Sequence, residues 1–173
     1  EARGLTIARA ATMLMLALPG SAYIYQGEEL GLPEVIDIPD ADRQDPTFFR
    51  TNGERYGRDG CRVPIPWEAD KPAFGFSPTG ASWLPQPDFF YALSRDQQEG
   101  VKGSTLELYK SLIKIRTEHK LGSGDIEWLS GYGRKVIAFC NRTIMVIVNL
   151  GEKLISLPNG KKLLSSVALE KGK

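Results

Sequence analysis

Histidine is nearly absent: His119 is the only one in 173 residues. No multi-histidine metal site can be built within the chain. Any Ser/His/Asp triad would have to use His119, which falls in the last turn of a predicted helix, where a C-terminal cap is the commoner role. Cysteine is scarce as well. Cys61 and Cys140 lie far apart and form no CxxC pair. This favours free thiols in a reducing, cytoplasmic setting over a disulfide framework. Charge of one sign is also lacking, with 22 basic against 21 acidic residues and a net charge of +1. Such a balance offers nothing to a nucleic acid or a membrane surface. The apolar run Ala10–Leu18 is too short to span a bilayer. Neither a cofactor nor a metal is expected.

What remains is an ordinary globular composition, 42% apolar and 25% charged. The first residue is Glu1, not Met, so the chain reads as a piece of something longer. Arg3 and Arg9 precede Ala10–Leu18, and Gly20-Ser21-Ala22 imitates a signal-peptide cleavage site. A buried helix leading into a strand has the same appearance. That reading is preferred, because Tyr23–Leu30 continues without a change in composition.

Leu5–Leu18 is rich in Ala, Leu and Met and predicts a largely buried helix. Pro19-Gly20 stops it. Ser21–Gln26 predicts a short buried strand and GEELG a loop. From Leu32 to Ser94 there is little periodicity and proline recurs. Six phenylalanines and two tryptophans in that stretch argue for an ordered loop that lines a site. Ser104–Lys120 predicts a helix with Ser104 and Glu107 as a capping box. Leu106, Tyr109, Leu112, Ile113 and Arg116 would share one face, and Gly122 would end it. Strand-like runs follow at Asp125–Leu129, Lys135–Asn141, Thr143–Asn149, Lys153–Leu157 and Lys162–Val167, which suggest an antiparallel sandwich.

The richest motif is GRDGCRVPIPW, Gly57–Trp67. Arg58, Asp59 and Arg62 sit within five positions, followed by Pro64, Pro66 and Trp67. Prolines rule out a ladder strand. A stiff loop could carry a guanidinium fork to a carboxylate or a polyol such as a sugar. An Arg–Asp ion pair bracing a surface loop fits the same spacing. Cys61 is expected to be a buried small hydrophobe.

In order, ALPGSAYIYQGEELGLP, QDP, GRDGCRVPIPW, WLP, STLELYKSLIKIR and VIVNL closely resemble the C-terminal part of bacterial α-glucosidases of glycoside hydrolase family 13. The subgroup is the one containing oligo-1,6-glucosidase. The resemblance runs from about Ala8 to Leu169 and departs at WLPQPDFF. It implies α/β plus β architecture: the C-terminal fragment of a (β/α)8 TIM barrel (helix 7, strand 8, a long loop and helix 8) over 1–121, then a small antiparallel β-sandwich over 122–173. It also implies retaining hydrolysis of an α-glucosidic bond by two carboxyl groups ~5 Å apart. Those groups would precede Glu1, so no residue here is expected to be catalytic. Glu28-Glu29 would not replace them, since neighbours in extended chain point to opposite sides. Arg62 is the first choice for a contact to the glucose beside the cleaved bond. Arg58, Asp59, Glu28 and Gln26 complete the substrate-binding set. Trp67 and Trp83 are expected in a wall or core. The implied partners are an α-glucoside oligosaccharide and the N-terminal part of the same barrel. Rival readings are a non-enzymatic scaffold of the same family, a β-sandwich sugar-binding module, a sucrose isomerase and a trehalose-6-phosphate hydrolase.

Overall fold

The computed structural model describes residues 2–167, with nothing described for the side chain of Ala2. The chain divides into two compact units, residues 1–24 with 108–173, and residues 25–107.

In the first unit, the Ala- and Leu-rich start forms α1, Ala2–Ala17, as the composition requires. Gly20 takes φ 88 and turns the chain away. Leu16 packs against Leu108 and Leu112 of α5 (Thr105–Glu118), with Met13, Met15 and Leu164 around them. Thr12 Oγ1 and Tyr109 OH meet at 2.7 Å, so a polar pair is satisfied inside this contact. The helix is less buried than expected. Thr12, Leu16 and Ala17 are buried, but Leu5 and Ile7 are exposed. Burial is concentrated in its C-terminal half: residues 3–8 are exposed, and residues 12–17 are buried or half-buried.

The helix C-terminus leaves carbonyls without intrahelical donors. α1 has no basic residue in its last turn. Arg116 supplies the cap from α5: its guanidinium donates to Leu16 O at 2.7 Å, Leu18 O at 2.6 Å, and also to Gly20 O. Asn141, fully buried, donates from Nδ2 to Ala17 O at 2.8 Å and Leu121 O at 3.1 Å.

Ser21–Gln26 does not form the expected strand. A strand exists through its ladder, and no described segment pairs with this one. Tyr23 is left 85% exposed.

The sheet is a meander of β1 (Ile126–Trp128), β2 (Val136–Asn141) and β3 (Ile144–Asn149), antiparallel in the order β1-β2-β3. Phe139, fully buried, lies opposite Trp128 and Val146, with its ring edge-on to Trp128. Two residues, Arg142-Thr143, connect β2 to β3. Arg142 holds φ 54, a costly value for a residue with a side chain. Its guanidinium offsets this by donating to Lys120 O at 2.9 Å and Ser123 O at 2.6 Å.

The strands expected at Lys153–Leu157 and Lys162–Val167 do not form, so the described residues make one sheet and not a sandwich. Asn149 gives the reason. Its Oδ1 accepts from Gly151 N at 2.9 Å and its Nδ2 donates to Lys153 O at 2.8 Å. This local turn leads the chain off the ladder as β3 ends.

On α5, Ser104 Oγ accepts from Glu107 N at 3.2 Å, which is half of the capping box. Glu107 Oε1 takes Gly100 N instead of Ser104 N, which donates to Val101 O. The buried stripe is Leu108, Tyr109 and Leu112, with Leu106 beside it. Ile113, expected on that face, is 46% exposed. Lys120, at φ 52, takes the left-handed position after the helix, a role expected of Gly122.

The second unit is built on the segment with little periodicity. Val35, Ile38, Val63, Leu84 and Phe90 form its core, with Leu32 and Phe74 against it. Short helices α2 (Pro46–Arg50), α3 (Phe90–Leu93) and α4 (Arg95–Gln98) punctuate it. Buried Gln98 stitches it together, donating from Nε2 to Leu30 O and Leu93 O at 2.9 Å each and accepting from Leu106 N at 3.3 Å. Such an interior, rich in specific hydrogen bonds, explains how a proline-rich loop stays ordered.

Two outcomes follow from this packing. Hydrogen exchange should be slowest among residues 135–149 and faster in 21–25, which has no ladder; the reverse order would contradict this fold. Asn141→Ala should cost about 2–4 kcal/mol in urea unfolding, because two carbonyls lose their donor inside the protein. A loss within experimental error would show that the amide is not a structural clamp.

Candidate functional site

The motifs QDP and GRDGCR are brought together by their acids. Asp59 is 2% exposed, and its Oδ2 accepts from Gln44 N at 2.9 Å and Asp45 N at 3.0 Å. Asp45 reciprocates. Its Oδ1 accepts from Thr47 N at 2.8 Å, which caps α2 with Pro46 at the first helical position. Its Oδ2 accepts from Arg58 N at 3.0 Å and from Arg62 Nη1 at 3.0 Å. Gly57, at φ 74, permits this approach: a Cβ there would stand 2.4 Å from Asp45 Cγ. Gly60 is equally constrained, since a Cβ would stand 2.4 Å from Val35 O. Val35 N donates to Gly60 O at 3.0 Å and ties this loop to the segment after GEELG.

The Asp45 carboxyl is held at about 2, below its ordinary 3.8. The amide of Thr47 contributes most, then the Thr47 hydroxyl, the Arg58 amide and the Arg62 charge; burial opposes them. Among the described residues no ion pair joins Arg58 to Asp59. The ion pair of this loop is Arg62–Asp45, with the acid side chain 6% exposed and the arginine 46%. Arg58 has an exposed side chain and serves this junction through its main-chain N–H.

Arg62 is also held through its backbone. Its N donates to Asp59 O at 2.8 Å, and its O accepts from Trp83 Nε1 at 3.1 Å. The Trp83 carbonyl accepts from Gln44 Nε2, and Phe76 meets the Trp83 ring edge-on at 5.0 Å. Trp83 and Trp67 are half exposed, so neither is a core residue. Nearby, the buried Arg43 guanidinium lies 4.1 Å from the Tyr56 ring centroid, 5.4 Å from that of Phe48, and donates to Ile36 O.

Gln26 and Glu28 stand on the neighbouring wall. A pocket of about 90 Å³ is lined by Tyr25, Gln26, Glu28, Glu34, Gly60 and Cys61, among others. Gly27, at φ 93, makes the turn, and Glu29 Oε2 accepts from Gly27 N at 2.8 Å. Glu28 and Glu29 belong to a 3₁₀ turn, not to extended chain. The argument from extended chain therefore does not apply to this pair; Glu29 is engaged with the backbone through Gly27 N. Cys61 is half-buried, not fully buried, and donates to Arg58 O at 3.2 Å; both thiols are free.

Of the five residues chosen from sequence, Gln26 and Glu28 line one pocket, and Arg58 and Arg62 join at Asp45. Asp59 is turned inward: its carboxylate holds two backbone amides, where a sugar contact was expected. Asp45 and Gln44 were not chosen. The signal for Asp45 was an Asp directly before Pro, a helix-start signature. Among the described residues no group of three or more His, Cys, Asp or Glu could hold a metal. No helix among them is long and apolar enough to cross a membrane.

The depressed Asp45 value fixes a pH dependence. Folding favours the ionised form, so its contribution is complete well above 3.8 and is lost as pH falls through about 2. Melting temperature measured from pH 5 to pH 2 should fall less steeply in Asp45→Asn than in the wild type. Parallel curves would contradict the network.

A family model described as the alpha amylase catalytic domain matches residues 2–124. A probable alpha-glucosidase of Rhizobium meliloti is 36% identical over 69% of this chain and 21% of its own length. Maltase 1 of Drosophila virilis is 31% identical over 90% of this chain and 27% of its own. A salivary alpha-glucosidase of Aedes aegypti is 30% identical over 81% and 25%. The crystal structure of an alpha-glucosyl transfer enzyme superposes with a TM-score of 0.73 at 31% identity, covering 90% of this chain and 30% of that one. The chain thus spans roughly a quarter of the length of these relatives. A match over most of the chain and agreement in fold together place this protein in the alpha-amylase catalytic-domain family, glycoside hydrolase family 13.

Proposed function

We propose that the chain is part of a retaining α-glucosidase that removes terminal α-linked glucose from oligosaccharides, and that it supplies substrate-binding residues while the catalytic carboxylates lie outside residues 1–173. The observation that carries this reading is Arg62. A loop of two close glycine contacts, two prolines and a buried aspartate delivers one half-exposed guanidinium to a fixed place. A planar fork of donors suits adjacent sugar hydroxyls. The α-glucosidases among the relatives support the substrate class.

In this reading residues 1–121 are the C-terminal end of the barrel and 122–173 the C-terminal β domain. The family match ending at residue 124 supports that boundary. Exposed Leu5, Ile7, Tyr23 and Ile24 are then surfaces for the rest of the barrel, which would also supply the ladder that Ser21–Gln26 lacks here. Sites in such barrels lie at the C-terminal ends of strands, where Gln26 and Glu28 would stand. Arg62, Gln26 and Glu28 would meet the sugar, with Arg58 at the rim and Asp59 shaping the loop from within.

A second reading, glucosyl transfer or sucrose isomerisation in place of hydrolysis, is favoured by the solved alpha-glucosyl transfer enzyme and by an isomaltulose synthase of Erwinia rhapontici, solved with its natural substrate sucrose, at 25% identity. Product analysis with sucrose and with isomaltose separates the two.

The isolated chain should release no p-nitrophenol from p-nitrophenyl α-glucoside, since it holds no placed carboxylate pair. Turnover that survives removal of contaminating enzyme would overturn that assignment. In the full-length enzyme, Arg62→Ala should raise the barrier by roughly 2–4 kcal/mol in kcat/KM. Arg50, exposed and bonded to Pro46 O, should be worth about 0–1 kcal/mol of stability and little activity. A folded Arg62→Ala variant with wild-type kcat/KM would remove this loop from the sugar site.

A further inference from the structure

We propose that Asp45 and Trp83 are positioning residues that set the direction of the Arg62 guanidinium for substrate; this rests on the assignment of Arg62 to the sugar. An arginine side chain that is 46% exposed would ordinarily sample many rotamers, and ordering it opposes binding. Here a closed ring of hydrogen bonds removes that freedom. Gln44 Nε2 donates to Trp83 O, Trp83 Nε1 donates to Arg62 O, and Arg62 Nη1 donates to Asp45 Oδ2. Gln44 and Asp45 are neighbours in sequence, and both present their amides to Asp59 Oδ2. The chain is fixed at both ends of the arginine: Trp83 holds its carbonyl and Asp45 holds its tip.

The form of the clamp is informative. A brace meant only for stability would use the two-point fork, which is the stronger pairing. Asp45 grips one nitrogen only, because its Oδ2 is shared with Arg58 N and its Oδ1 is given to Thr47 N. Among the described residues Arg62 Nη2 and Nε donate to no protein atom. The guanidinium is therefore oriented yet keeps donors for a ligand. Trp83 is half exposed, and the single polar atom of its side chain is committed to Arg62. Its ring is steadied by the edge of Phe76.

The test is a set of double-mutant cycles in the full-length enzyme, read as kcat/KM on an α-glucoside with thermal melting alongside. Asp45→Asn and Trp83→Phe should each lower kcat/KM about tenfold or more, since a misplaced group of this kind forfeits proximity. Both losses should disappear in an Arg62→Ala background, because a positioning residue has nothing left to position. Losses that persist undiminished without Arg62 would overturn the proposal and leave both residues as structural supports. Guanidinium ion supplies a second readout. It should restore activity to Arg62→Ala, and the restoration should require Asp45. Rescue that is equally strong in Arg62→Ala/Asp45→Asn would also overturn it. Where Asp45→Asn fails to fold, Asp45→Glu takes its place in the cycle. An Arg62→Ala variant with full activity is a different result: it removes the substrate assignment itself, and this proposal falls with it.

Discussion

One carboxylate holds the long segment of this protein together. Asp45 accepts three hydrogen bonds, two from backbone amides and one from a guanidinium, and the donors come from three separate residues. Everything around it is arranged to allow that. Gly57 clears the space, Asp59 fixes the two amides behind it, and Pro46 begins a helix whose cap is the same carboxylate. Without this junction the QDP and GRDGCR motifs would be two polar loops with no reason to meet. With it, the arginine that follows arrives at a defined place. In the proposed reading, function and fold share the same few atoms, as is common where rigid loops carry binding groups.

The other unit is held by a similar economy. Carbonyls at the end of α1 have no donors of their own. They are satisfied by Arg116 from α5 and Asn141 from β2, residues almost a hundred or more positions away in the chain. Apolar contact between Leu16, Leu108 and Leu112 brings the helices together, and the polar caps set the exact alignment. The two kinds of interaction divide the work: burial is non-directional and hydrogen bonds are not.

The regular parts of this architecture were legible in the sequence, and for a local reason. α1 and α5 have the composition and stops that make a helix a property of its own residues, and α5 also has its own N-cap. β2 and β3 are apolar runs of strand length, each ending on an asparagine. What failed depended on distant partners. Ser21–Gln26 reads as a strand, but a strand needs a neighbour to pair with. Lys153–Leu157 also reads as a strand, yet Asn149 diverts the chain first. The buried face of α5 was misjudged at Ile113 because helical spacing alone fits two overlapping stripes, and only packing selects between them. At the candidate site, Arg62 was found through the rigid segment after it. Asp45 was missed because its cap role is local while its grip on Arg62 spans seventeen positions. The motif QDP was seen as family resemblance before its physics was visible.

The central claim is that Arg62 is held by the protein in the orientation that a sugar needs. Its most direct test is the crystal structure of the full-length enzyme with an α-glucoside bound. The account predicts an Arg62 guanidinium nitrogen within about 3.2 Å of a sugar oxygen while Nη1 still donates to Asp45. A bound sugar with Arg62 released from Asp45, or directed away from the ligand, would contradict it.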